Sequence, residues 1–66
     1  MQIYLNGDEK QIPDGTDMAG LIELLALTDR RIAVEVNQEL VPRSTFSGHA
    51  LETNDRVEII HAVGGG

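Results

Sequence analysis

The sequence predicts an α+β domain in which a mixed sheet of four or five strands is crossed by one main helix. Three observations lead there. Apolar and polar residues alternate with a period of two at the start, in the middle and near the end of the chain, at 1–5, 32–36 and 56–59. Only one stretch, within 14–27, carries the spacing of an amphipathic helix. The alternating stretches are grouped around that helix rather than interleaved with several, the α+β pattern.

In "MQIYLNGDEKQI", Met1, Ile3 and Leu5 face one way and Gln2, Tyr4 and Asn6 the other. Asn6-Gly7 tolerates the positive φ angles of a tight hairpin, so the chain reverses there into a short strand around Lys10 to Ile12. Pro13 lacks a donor and helps to end it. In "DGTDMAGLIELLAL", Thr16 is placed to cap a helix and Asp17 to favour its positive end. Met18, Leu21, Ile22 and Leu25 follow the i, i+3, i+4, i+7 spacing of one buried face, and Gly20 suggests close packing against a sheet. The helix ends by Leu27 to Asp29.

Ile32, Val34 and Val36 form the apolar face of a third strand. Gln38 and Glu39 fit a turn, and Leu40-Val41 a short strand that Pro42 confines to an edge or ends. "STFSGHAL" reads as a loop or single helical turn anchored by Phe46 and Leu51, and 53–55 as a turn. In the last strand Val57 and Ile59 alternate with Arg56 and Glu58, after which Ile60, Ala62 and Val63 blur the alternation. The expected core is Ile3, Leu5, Leu21, Ile22, Leu25, Ile32, Val34, Val57 and Ile59. The first and last strands are the most apolar, so they sit centrally, side by side and parallel, with nearly the whole chain as their crossover. One helix across such a sheet is the β-grasp arrangement. It occupies 1–63 and leaves Gly64, Gly65 and Gly66 as a flexible tail.

The composition narrows function by exclusion. Eleven acidic residues against five basic ones leave a net charge of −6. Such a chain is repelled by phosphate backbones and suits a partner with a basic surface, although solubility alone would also account for the charge. With no cysteine there is neither a disulfide framework nor a thiolate site, and His49 and His61 lack ligand spacing, so no metal is expected. No apolar stretch is long enough to span a membrane, and Met1 leads directly into a strand; a cytoplasmic protein is expected.

"MQIYLNG" resembles the opening of ubiquitin-like folds. "AVEVNQELVPR", with Val34, Asn37, Val41, Pro42 and Arg43 at their spacing, and "DRVEIIHAVGGG" resemble the ThiS family, the sulfur carriers of thiamine biosynthesis. The likeness runs through essentially the whole chain. It departs at the end, where three glycines stand instead of the two of many relatives, leaving open whether Gly64 belongs to strand or tail. The resemblance implies a protein that is not an enzyme and binds no cofactor. Its C-terminal Gly66 would be activated by an ATP-using, ubiquitin-activating-like adenylyltransferase. A desulfurase persulfide would then convert it to a thiocarboxylate, and thiazole synthase would accept the sulfur. Two alternatives remain at this point: the small subunit of molybdopterin synthase, and a non-covalent ubiquitin-like interaction module with idle glycines.

Other residues have competing readings. Tyr4, Ile60, Ala62 and Val63 form either a partner interface or ordinary surface hydrophobics. His61 reads as a strand residue ahead of a proton shuttle, and Arg43 as a structural or solvated cation ahead of a docking group. Glu52, Asp55 and Glu58 read as a solvated acidic face, with electrostatic steering second.

Overall fold

The computed structural model describes residues 1–61. It contains β1 (Gln2–Leu5), β2 (Asp8–Gln11), α1 (Met18–Leu24), β3 (Ile32–Val36), β4 (Glu39–Val41) and β5 (Arg56–His61), with a 3-10 helix, Arg43–Gly48, between β4 and β5. The five strands form one sheet in the order β2-β1-β5-β3-β4. β1 runs parallel to β5 and every other pairing is antiparallel. The first and last strands therefore meet as expected, and β5 is the central strand.

Two hairpins frame the sheet. At the first, Asn6 and Gly7 take φ of 49° and 87°, the left-handed pair whose twist suits a two-residue turn. At the second, the left-handed pair is Asn37 and Gln38, with φ of 52° and 72°, one residue earlier than the expected Gln38-Glu39. Asn37 decides the position, because asparagine tolerates this conformation and its side chain is bonded to two consecutive residues at the start of β5. Its Nδ2 donates to Asp55 Oδ1 at 3.0 Å, and its Oδ1 accepts the Arg56 N–H at 3.0 Å.

The helix is shorter than its apolar pattern. Asp17, not Thr16, is the N-cap: its Oδ1 accepts the Gly20 N–H at 2.7 Å, while the Thr16 hydroxyl turns back to donate to the Pro13 carbonyl. Gly20 is close-packed against this cap and not against the sheet. A Cβ there would stand 3.3 Å from both Asp17 Oδ1 and Thr16 Cγ2. At the other end, Leu25 is the C-cap and Ala26 turns left-handed with φ of 58°. The Leu27 N–H reaches the Ile22 carbonyl and the Ala26 N–H the Glu23 carbonyl, both at 3.0 Å, which is a Schellman closure built on alanine where glycine is usual.

The core lies between α1, the 3-10 helix and one face of the sheet. Ile3, Met18, Leu21 and Val34 are fully buried at its centre, and Ile12, Ile22, Val36, Val41, Phe46, Leu51, Val57 and Ile59 complete it. Leu5, Leu25 and Ile32 were expected inside but only pack against the core, partly buried. Each stands at or next to the end of its element, where one flank remains open.

Two outcomes follow for chemical denaturation. Leu21→Ala is expected to lower stability by about 2–5 kcal/mol, and Leu25→Ala by clearly less, because only the former leaves an enclosed cavity. Ala26→Gly is expected to raise stability by about 0.5–1 kcal/mol, since relief of the left-handed strain on a side chain exceeds the extra freedom of glycine in the unfolded chain. A midpoint that falls for Ala26→Gly would mean that the turn is not strained.

Candidate functional site

The chain leaves the described structure at the end of β5, so the residues around that exit decide what a partner meets. On one edge β5 pairs with β3 as far as Ile32 opposite His61. On the other edge β1 is too short to follow it. The Asn6 N–H bonds the Val57 carbonyl at 2.8 Å, and the chain then turns away at Gly7. The Asn6 side chain continues the ladder in its place. Its Oδ1 accepts the Ile59 N–H at 2.8 Å and its Nδ2 donates to the Ile59 carbonyl at 3.5 Å. One carboxamide thus extends the ladder to Ile59 with a donor–acceptor pair like that of a peptide unit.

The start of β5 is held from below. Asp55, expected on a solvated acidic face with Glu52 and Glu58, is only 7% exposed. Its carboxylate accepts from Asn37 Nδ2 and, at 2.8 Å, from the Glu52 N–H. It ties the 52–55 turn to the β3–β4 turn, and β5 is thereby fixed at its base. The signal available in sequence was Asn37 and Asp55 together, two residues whose short polar side chains serve turns.

The outer sheet face carries the expected interface residues only in part together. Tyr4 is in register with Arg56, whose guanidinium carbon lies 5.6 Å from the Tyr4 ring centroid, and the Tyr4 hydroxyl accepts from Gln2 Nε2 at 3.1 Å. Ile60 lies four residues further along β5, about 13 Å away at strand rise, beyond Glu58. The two share a face without touching as one patch. Ile60 is 52% exposed and stands opposite Ala33. His61 is an exposed strand residue. Ala62, Val63, Gly64, Gly65 and Gly66 lie outside the described residues, and so does the expected boundary between domain and tail.

Beside Ile60 opens a cleft of about 590 Å³ whose lining includes Asp29, Arg30, Arg31, Ala33 and Arg43. Arg43 is a structural cation with a defined task. Its Nη1 donates to the Thr28 carbonyl at 3.1 Å, its Nη2 to the Arg30 carbonyl at 2.5 Å, and its guanidinium lies 5.7 Å from the Phe46 ring centroid. It locks the α1–β3 connection to the 3-10 helix. Among the described residues, no group of three or more His, Asp or Glu side chains is arranged to hold a metal ion. No described helix is long and apolar enough to cross a membrane.

A single helix across a five-stranded sheet, with the first and last strands parallel at its middle and the chain continuing from the central strand, defines a ubiquitin-like β-grasp protein. The ThiS family model matches residues 3–66, and the chain belongs to that family. It is 29% identical to the sulfur carrier protein ThiS of Escherichia coli over 66 residues, the full length of both. The crystal structure of the thiamine biosynthesis protein ThiS from Geobacter metallireducens superposes with a TM-score of 0.86 at 25% identity, with both chains wholly covered. The whole chain also aligns at 36% identity with part of a thiazole synthase from Magnetococcus marinus, and spans only 20% of that protein's length.

The role given to Asn6 is checked by amide hydrogen exchange. Asn6→Gly keeps the left-handed turn and removes only the carboxamide. The Ile59 amide is expected to exchange about fivefold or more faster relative to Val57, the equivalent of about 1 kcal/mol of local protection. Equal acceleration at both amides would show that the side chain does no more than support global stability.

Proposed function

We propose that this chain carries sulfur on the C-terminal carboxylate of Gly66 and delivers it to thiazole synthase in thiamine biosynthesis. The observation that carries the reading is the extent of the family match, which runs from residue 3 through Gly66. The alignment with one fifth of a thiazole synthase supports the choice of acceptor, because a protein of that name shares sequence with the whole of this chain.

A carboxylate resists nucleophiles because it is negatively charged and has no leaving group. An adenylating enzyme remedies both. The Gly66 carboxylate attacks the α-phosphorus of ATP, pyrophosphate leaves, and an acyl-adenylate forms. The terminal sulfur of a desulfurase persulfide then attacks the acyl carbon and AMP departs with the bonding pair. A thiol cleaves the resulting S–S bond, becoming a disulfide partner itself, and the thiocarboxylate is released. None of these steps needs a general acid or base from the carrier. Glycines at 64–66 let the main chain enter a narrow active site where a Cβ would meet the wall. Ordering such a segment costs roughly 1–2 kcal/mol per residue. The folded domain must offset that by docking.

The test is ATP–pyrophosphate exchange with the adenylating enzyme. Deleting Gly66 is expected to abolish exchange. Gly65→Ala is expected to leave the denaturation midpoint unchanged and to slow exchange by about a hundredfold, because a misplacement near 1 Å at the reacting carbonyl is that costly. His61→Ala is expected to have little effect. Exchange by the Gly66 deletion at the wild-type rate would end the carrier reading.

A further inference from the structure

The charge of this protein is unevenly placed. It has five basic residues in a chain of net charge −6, and three of them, Arg30, Arg31 and Arg43, line the cleft beside Ile60. Sequence separates Arg43 from the other two; the β3–β4 hairpin and the 3-10 helix bring it back. Among the described residues the single ion pair joins the Met1 amine to Asp14, so no described carboxylate lies within 4 Å of the three guanidiniums. Even Asp29, in the same lining, is not paired with them. An otherwise acidic surface thus keeps a concentrated cationic notch, with Ile60 and Ala33 forming an apolar border.

Its position gives the notch a use. His61, the last described residue, stands opposite Ile32, which follows Arg30 and Arg31 in sequence. Residues 62–66 extend at most about 17 Å. An enzyme that takes up Gly66 is therefore pressed against this flank. We infer that the notch is a docking site for carboxylate side chains of the protein that receives the tail, and that it orients the carrier on that partner. The inference rests on the sulfur-carrier reading and adds the chemistry of the contact.

The chemistry favours a protein carboxylate over other anions. Guanidinium forks match carboxylates in two-point pairs, and an apolar border suits a protein surface. A deeply seated phosphate needs convergent N–H donors, whereas the backbone groups facing Arg43 are the carbonyls of Thr28 and Arg30. A nucleic acid would meet the remaining acidic surface. The notch also revises the simple expectation of a basic partner: the complementary surface is basic with an acidic projection, a two-sign pattern that fixes orientation as well as attraction.

The experiment measures exchange kinetics of the full chain with the adenylating enzyme across a range of sodium chloride concentrations. Arg30→Glu/Arg31→Glu is expected to raise KM for the carrier about tenfold or more at low salt and leave kcat within about twofold, with the increase in KM shrinking as salt screens the new carboxylate–carboxylate repulsion. Arg43 is left in place because it holds backbone carbonyls. Lys10→Glu, on β2, is expected to change none of these values, and unchanged denaturation midpoints verify that both variants are folded. A double reversal with wild-type KM and salt dependence overturns the inference while leaving the carrier reading intact. Absence of exchange by the wild type overturns both. Titration with inorganic phosphate, followed by the Nε–H resonances of Arg30 and Arg31, supplies the last arm. Saturation below millimolar phosphate would identify an oxyanion site instead, and would likewise overturn it.

Discussion

The parallel pairing of β1 with β5 is the constraint on which the remaining structure depends. It joins opposite ends of the sequence: Asn6 and Ile59, 53 positions apart, are linked through the Asn6 carboxamide. Tyr4 and Asn6 donate backbone bonds to the Asp55 and Val57 carbonyls at 2.9 and 2.8 Å. Parallel neighbours cannot be connected by a tight turn, so everything between them is crossover. The helix must lie across one face, β3 and β4 must pair on the far side of β5, and the last strand becomes the middle of the sheet. Burial repays the loop-closure cost, since Ile3 and Val57 are 0% and 1% exposed beneath α1.

In the proposed role that topology lets a single short strand serve as the root of the segment offered to partner enzymes. β5 is gripped on one edge by β3 and on the other by β1 and the Asn6 side chain, and its base is held by Asp55 and Asn37. Each polar side chain in this set replaces a backbone partner that the topology withholds. A pull on residues beyond His61 is thereby distributed over the whole sheet. In the proposed carrier role the domain contributes rigidity, charge and shape, and the covalent chemistry falls to the main chain of Gly66.

Much of this was legible in sequence, because the strongest signals are periodic. Alternation placed Ile3, Val34, Val57 and Ile59 inside, and Asn6-Gly7 placed the first turn. The errors have physical causes. Thr16 and Asp17 are both competent caps, and Asp17 closes the helix because the Thr16 hydroxyl is taken by the Pro13 carbonyl while Asp17 accepts the Gly20 N–H. The helix ends at an alanine in left-handed conformation, where no glycine marks the stop. The second turn shifted by one residue because Asn37 is bonded to Asp55 and Arg56, contacts between distant parts of the chain. Asp55 looked solvated for the same reason. The arginine notch exists only in three dimensions, since Arg43 lies a hairpin away from Arg30 and Arg31. Of the expected interface, Tyr4 and Ile60 share a face at opposite ends of β5, a separation that register alone determines.

The central claim is that the reactive group of this protein is its terminal carbonyl. Intact mass spectrometry tests it most directly, after incubation of the full chain with ATP, the adenylating enzyme, a cysteine desulfurase and cysteine. The account predicts a mass gain equal to replacement of one oxygen by sulfur, assigned to Gly66 by fragmentation and absent when ATP is omitted. An unchanged mass, or sulfur located on any residue other than Gly66, would contradict it.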